Sequence, residues 1–476
     1  MSNLRTNVIL NYINTITSLL FPVITFPYAS RILLPDGIGV VNFQLSVINY
    51  IVLFTSLGIP LYAVKEIAKF RDDIELRNKT TIEIIVLSLL LCVLGYIAVF
   101  LIGIFVPKIN SNINLFYILS LTIFFTSIGV QWFYQGIEDF KFITIRAVIV
   151  RTLAATCLFV FVKDTSDLLI YATITIGITV GNNAINFIHL KKYIPISSIL
   201  KYKLNIQKHI KPTLHIFVLN LIISIYVNLN TIMLGFIDSD YSVGLYSAGN
   251  KIPHMILSLV TSMGVVLLPR CSNLVATKQY EEFRKVCDKS IRLVILVSFP
   301  AVIGLFFLAE PIIKILCGHA YLEAVPILYW TSPIVLFIGL TNVIGIQILY
   351  PLGKENIVIY STVAGAIVNL ILNIILIPAL GAIGAGISTF AAEFAVLIIQ
   401  VLVGKKYIPI NFFEKHYLLY LKASIILLSL LIFSPIYVIN TYTRIIIFVI
   451  SCIAYFSYLY LKRDEMLLKI TKLLIK

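Results

Sequence analysis

The sequence predicts an all-α integral membrane protein of about 14 transmembrane helices. They form two six-helix bundles, related by a pseudo-twofold axis along the membrane normal, plus two extra helices. Three observations predict this. Of 476 residues, 59% are hydrophobic and 12% charged, with a mean hydropathy of +0.99, and that charged share is half the usual value for a soluble globular chain. Apolar stretches long enough to cross a bilayer recur from end to end. Segments of the first half also reappear, in order, in the second. The composition excludes an ordinary soluble enzyme, and 30 Phe with 26 Tyr exclude a solvated disordered chain. A net charge of +15 would suggest nucleic acid in a soluble protein. Here no segment is spared for a soluble binding module, so membrane topology and an anionic ligand are the better readings and no nucleic acid is expected.

A crossing takes about 20 apolar residues, and the expected spans are 8–30, 40–63, 82–106, 113–135, 143–162, 167–189, 213–236, 242–268, 290–309, 324–350, 357–379, 383–404, 417–435 and 444–461. With no water in the hydrocarbon core, each must be a helix. The first span contains Asn11, Asn14, Pro22 and Pro27 and lacks a small-residue cleavage site. It therefore reads as retained, not as a removed signal. The Lys and Arg residues outside the spans segregate sharply, 28 on one set of alternate connections and 5 (Arg31, Lys108, Lys163, Lys314, Arg444) on the other. By the positive-inside rule the rich side is cytoplasmic, with both termini there; a bacterial inner membrane is the expected location. Asp238 and Asp240, in a short connection on the poor side, are expected to be solvated.

The hexapeptide Lys-Lys-Tyr-Ile-Pro-Ile occurs at 191–196 and 405–410, offset by 214 residues. Ile128-Gly129-Val130-Gln131 matches Ile344-Gly345-Ile346-Gln347, and Ile38-Gly39 matches Val243-Gly244, at offsets of 216 and 205. These anchors predict an N-terminal bundle at 1–190, a basic cytoplasmic linker at 191–211 suited to anionic lipid headgroups, a C-terminal bundle at 212–404, and helices 13–14 with a basic tail at 405–476. Six spans per copy give both copies the same orientation, a parallel repeat of the kind used in alternating-access transport, with a cleft expected between the halves.

Polar residues form stripes at helical spacing. The first span carries Asn7, Asn11, Asn14, Ser18 and Thr25; the second Asn42, Ser46 and Asn49; the seventh Asn220, Ser224, Asn228 and Thr231; the eighth Ser247, Lys251, His254, Ser258 and Thr261. Such faces line either a water-filled cleft or a helix–helix contact. Lys251 lies roughly 15 Å into its span at 1.5 Å per residue, where an ammonium group is costly, and is the sharpest candidate for ligand contact. His254 is one turn further along, and reads either as a ligand or as a packed, hydrogen-bonded histidine. Arg151 is nine residues into its span and a candidate phosphate or sugar ligand, whereas Arg146, nearer the span's end, is expected to snorkel to the cytoplasmic surface. Arg31 faces the outer mouth or the headgroups. Glu393, mid-span, is either an ion-coupling carboxylate or the partner of a buried cation. The charge within the spans is mostly positive, which suits phosphate or carboxylate ligands. The six cysteines include no C-x-x-C pair, and no phosphate-binding loop or H-E-x-x-H motif is present. Neither metal, cofactor nor enzymatic activity is expected.

The run Pro27-Tyr28-Ala29-Ser30-Arg31-Ile32-Leu33-Leu34-Pro35-Asp36-Gly37-Ile38-Gly39 resembles the segment after the first helix of Wzx-type polysaccharide flippases. That family belongs to the multidrug/oligosaccharidyl-lipid/polysaccharide exporter superfamily. Leu57-Gly58-Ile59-Pro60, Lys65-Glu66-Ile67-Ala68, Gln131-Trp132-Phe133-Tyr134-Gln135-Gly136 and Val243-Gly244-Leu245-Tyr246-Ser247-Ala248 extend the likeness over nearly the whole chain. The resemblance implies a central cavity built from helices 1, 2, 7 and 8. It also implies flipping of undecaprenyl-diphosphate-linked oligosaccharide for O-antigen, capsule or similar polymer, coupling to a proton or sodium gradient, and a polysaccharide polymerase as partner. Its superfamily alternative is a cation-coupled multidrug antiporter, in which Glu393 would lead.

Overall fold

Helix runs along the chain because a segment in hydrocarbon must satisfy its own backbone N–H and C=O groups. The computed structural model describes residues 4–195, 202–408, 414–434 and 440–475. Part of the basic linker (196–201) and the ends of both hexapeptides (Ile196; Pro409 and Ile410) lie outside the described residues. The chain divides into two compact units, Met1–Gly244 and Leu245–Lys476. The first holds α1 (Leu4–Ser56), α2 (Ile59–Lys69), α3 (Ile74–Phe105), α4 (Pro107–Asn110), α5 (Ile113–Ser127), α6 (Gln131–Gly136), α7 (Phe140–Phe161), α8 (Leu168–Leu190), α9 (Gln207–Ile237) and the start of α10 (Asp240–Ala276). The second holds the rest of α10, then α11 (Tyr280–Phe307), α12 (Ala309–Leu316), α13 (Val325–Thr331), α14 (Ile334–Asn342), α15 (Glu355–Gly404), α16 (Lys415–Ile432), α17 (Thr441–Leu461) and α18 (Glu465–Ile475).

Two of these helices are too long for one crossing. Unbroken, the 53 residues of α1 would reach about 80 Å, more than twice the hydrocarbon thickness. α1 breaks at Leu34 (φ 60°, ψ 177°), directly before Pro35, which disfavours helical geometry in its predecessor and offers no N–H itself. α15 breaks at Gly381 (φ 53°, ψ −129°), a region glycine enters without steric cost. Both breaks fall between spans expected from the sequence. Among the described residues nine helices are long and apolar enough to cross a membrane, or ten if the bent pair His319–Thr331 and Ile334–Leu349 is one span. Each broken helix counts once in that tally, and α9 and α10 fall outside it. The outer face of α3 shows what these helices meet. Leu90, Leu94, Ile97 and Leu101 share one face, with Leu94 61% exposed, a surface suited to acyl chains and unsuited to water.

The core of the first unit gathers around α2 and α6, where Ile67, Phe133 and Tyr134 are fully buried. A Cβ on Gly136 would lie 2.6 Å from Ile67, so the glycine closing Gln131–Gly136 is what lets α6 lie on α2. The described parts of the two hexapeptides make the same turn. Tyr193 N and Ile194 N donate to Leu190 O, and Tyr407 N and Ile408 N donate to Gly404 O, at 2.8–3.1 Å. The Ile128/Ile344 anchors also share a property, because both depart from α-helix: the first is the break between α5 and α6, the second a π-helical turn over Val343–Leu349.

At one end of the first unit, backbone meets backbone. An ideal Cβ on Gly39 would sit 1.7 Å from Asp240 O, and one on Gly244 would sit 2.0 Å from Pro35 O. The Asp240 carboxylate is not simply solvated as expected. It pairs with Lys108 at 3.3 Å, and Lys108 Nζ also donates to Gly235 O and lies over the Phe43 ring. At the opposite end of α3, Glu83 is fully buried. It accepts from Lys208 Nζ at 2.7 Å, His209 Nε2 at 3.0 Å and Asn205 N at 2.8 Å, while His209 Nδ1 meets Tyr62 Oη at 2.7 Å. The last residues of the basic linker are therefore fastened into the first unit.

In the second unit α16 and α17 dock on α11. Tyr417 donates to Asp288 at 2.8 Å, Asp288 pairs with Arg292 at 2.9 Å, and Tyr420 donates to Asp464 at 2.9 Å. Asp464 also caps α18 through Leu467 N.

Candidate functional site

Arg151 supplies the clearest site. It sits on α7, whose start is fixed by Asp139 accepting from Phe142 N. Its Nη1 reaches α1, donating to Asn14 Oδ1 at 2.9 Å, Thr17 Oγ1 at 2.9 Å and Asn14 O at 3.2 Å. Asn14 and Thr17 are three residues apart and so share a face. Two sequence candidates, Arg151 and Asn14, are thus brought together. Their contacts are neutral: among the described residues no carboxylate pairs with Arg151, and its hydrogen bonds there all run from Nη1. A half-buried guanidinium held in place by amide and hydroxyl oxygens keeps its charge and a fork of donors for an anion.

Arg146 corrects an expectation. It does not snorkel but is 4% exposed, with Nε donating to Asn182 Oδ1 at 3.0 Å and Nη2 to Gln131 Oε1 at 3.1 Å. Five residues from Arg151 on one helix is about 140° of rotation, so the two arginines serve opposite neighbours, α1 on one side and α6 with α8 on the other. Parts of the stripes prove to be bonded within their own helices. Ser18 donates to Thr15 O, Thr25 to Phe21 O, Ser258 to Met255 O and Thr261 to Leu257 O. Such back-bonding satisfies a hydroxyl without any ligand. Asn49 and Arg31 are exposed on α1, and Asn228 is half-buried on α9. The side chains of Asn7, Asn11, Asn220 and Ser224 lie outside the described residues.

In the second unit Lys251 is half-buried and His254 exposed on α10. Pro253 between them lacks the N–H that would bond Gly249 O; Thr331 Oγ1 takes that carbonyl instead, at 2.9 Å. Local packing is tight, since a Cβ on Gly249 would lie 2.7 Å from Ile327. Lys251 therefore stands on a turn that α13 braces. Glu393 is buried on the second half of α15. The halves of α15 touch beside it, a Cβ on Gly365 meeting Val396 at 2.4 Å and Ala392 O at 3.2 Å. Gln400 donates to Ser361 across their seam at 3.2 Å, and Asn373 donates to Asn369 within the first half at 3.1 Å. Tyr246 and Thr389 hydrogen-bond at 3.0 Å, joining α10 to α15.

Sequence reasoning missed Thr17, Gln131, Asn182 and Thr331 as positioning groups. Thr17 was visible as the next polar residue on the face of Asn14. Asn182 and Asn186, four apart, form a short stripe of their own in α8. Gln131 and Thr331 carry no periodic signal, because each answers a single partner.

Comparison with known proteins agrees with this architecture. A family model described as polysaccharide biosynthesis protein matches residues 4–275, and the MatE model matches 216–375. The Escherichia coli (strain K12) protein named "Putative O-antigen transporter" is 26% identical over 393 residues, covering 82% of this chain and 94% of its own length. The structure of the lipid II flippase MurJ in an inward closed conformation superposes with a TM-score of 0.70 at 18% identity, over 97% of this chain and 99% of that one. An inward-facing multidrug resistance MATE family transporter of the MOP superfamily gives 0.61 at 13% identity, over 83% and 98%. The fold is that of these transporters, and with a family model spanning more than half its length the chain belongs to the polysaccharide biosynthesis protein family.

Proposed function

We propose that the protein is a flippase moving undecaprenyl-diphosphate-linked oligosaccharide units, for O-antigen, capsule or a similar polymer, from the cytoplasmic to the outer leaflet by alternating access. The observation that carries this reading is Arg151: a guanidinium within a spanning helix, held by Asn14 and Thr17 and neutralised by no carboxylate among the described residues. Such a group suits a diphosphate. The likeness to an O-antigen transporter and to a lipid II flippase supports a lipid-linked substrate. Asn14, Asn49, Asn228 and Arg31 are proposed as further substrate contacts, as are Lys251 and His254 in the second unit. Glu393 is proposed to bind the coupling proton or sodium ion. The inner-membrane location with cytoplasmic termini, and association with a polysaccharide polymerase, belong to the same reading. Its test is polymer output in a host lacking its own flippase. Arg151→Ala should abolish output at an unchanged membrane level of protein, and wild-type output would refute the assignment. The multidrug antiporter reading draws on the MatE match and on buried Glu393. It requires expression to lower accumulation of cationic dyes and Glu393→Gln to reverse that.

A further inference from the structure

A basic pocket opens in the first unit between the start of α7 and the end of α8, with a volume of about 390 Å³. Its cations are Lys141, Arg146 and Lys192. His189 also lines it, stacked on Phe142 with ring centroids 4.0 Å apart and planes 17° apart. The one carboxylate on its wall, Asp139, is already engaged as the cap of α7 and by Tyr193 Oη at 3.4 Å. Two of its polar groups are unfinished. Arg146 Nη1, on a side chain 4% exposed, and His189 Nδ1 are buried and have no hydrogen-bond partner among the described residues. An unmet buried guanidinium donor calls for a partner, and the imidazole nitrogen can donate or accept according to its tautomer.

The walls say what kind. Lys141 and Lys192 stand at the helix ends on the cation-rich side. Deeper along the same two helices the wall is Ile145, Ile149 and Ile185, each more than a third exposed. A polar, cationic mouth at headgroup level continuing into an apolar groove has the polarity of one lipid molecule. We propose that this pocket binds the phosphate headgroup of an anionic glycerophospholipid of that leaflet, its chains lying along Ile145, Ile149 and Ile185. Arg146 is the inner phosphate ligand and Lys141 and Lys192 the outer ones. Because Arg146 is also bonded to Gln131 and Asn182, an occupied pocket bears on the packing of α6, α7 and α8. The site does not depend on which substrate the protein carries.

The test is native mass spectrometry of the delipidated full-length protein titrated with phosphatidylglycerol, phosphatidylcholine or undecaprenyl phosphate. Phosphatidylglycerol should bind and phosphatidylcholine should not. Lys141→Gln with Lys192→Gln, both on exposed side chains, should cut phosphatidylglycerol binding by roughly 25-fold, about fivefold for each cation near a headgroup. A thermal melt matching the parent shows that the double variant is folded. Equal binding of the two phospholipids, undiminished binding by the double variant, or displacement of phosphatidylglycerol by an equimolar amount of undecaprenyl phosphate would each overturn the proposal.

Discussion

Replacing Gly39 by alanine tests the closest backbone approach in the first unit. The added Cβ would stand 1.7 Å from Asp240 O and 2.6 Å from the carbonyl carbon, whereas a carbon–oxygen contact settles near 3.3 Å. α1 and the start of α10 must therefore part by about 1.5 Å, and no flexible side-chain end is there to yield. Overpacking of this kind costs about 1–3 kcal/mol. A built-in control exists at Gly177 on α8, where a Cβ would meet nothing within 4 Å; alanine there gains up to about 1 kcal/mol of helix propensity. In thermal unfolding of the purified protein Gly39→Ala should melt below the parent and Gly177→Ala at or above it. Gly244→Ala, aimed at Pro35 O from 2.0 Å, should behave like Gly39→Ala. If Gly39→Ala melts with or above the parent, backbone packing does not hold these helices together.

Other predictions follow from single contacts. Arg151→Lys keeps the charge but not the planar fork, so it should lose hydrogen bonds of about 1.5–3 kcal/mol and leave polymer output nearer to that of Arg151→Ala than to the parent; full output would show that charge alone suffices. Thr331→Val strips Gly249 O of its partner and should lower stability by about 1–3 kcal/mol, an effect absent if the melt is unchanged. His209, just before its span, is held by burial below its ordinary value of 6.5, the neighbouring Glu83 opposing this. In the unfolded chain the imidazole takes up a proton near pH 6.5 while in the folded chain it resists. Stability should thus be intact above pH 6.5 and fall as the pH drops below it, and His209→Gln should flatten that decline. The same slope in the variant would place the sensitivity elsewhere.

What the sequence shows and what it hides follow a physical line. Hydropathy is a property of each segment alone, so most of the apolar helices were readable along the chain, and the breaks at Leu34–Pro35 and Gly381 fall in gaps between expected spans. The recurring hexapeptide was visible in the sequence, and its Tyr193 and Tyr407 make the same turn bonds. Arg151 and Asn14 were both visible as costly groups in apolar runs, but their pairing depends on α7 lying against α1, which no single segment encodes. Arg146 was misread because distance from the end of a span says nothing about which neighbour a helix face meets. Asp240 looked solvated because Lys108, 132 residues earlier, is brought to it only by the fold. Ser18, Thr25, Ser258 and Thr261 extended the stripes in sequence yet bond their own helices. Periodicity alone cannot separate a lining hydroxyl from a back-bonded one.

The most direct measurement is leaflet translocation by the purified protein in sealed vesicles, using a fluorescent undecaprenyl-diphosphate oligosaccharide quenched from outside. The parent should expose the lipid to quencher faster than protein-free vesicles, and Arg151→Ala, folded by its melt, should match the protein-free rate. Translocation by the variant at the parental rate, or none by the parent with an ion gradient applied in either direction, would contradict the account.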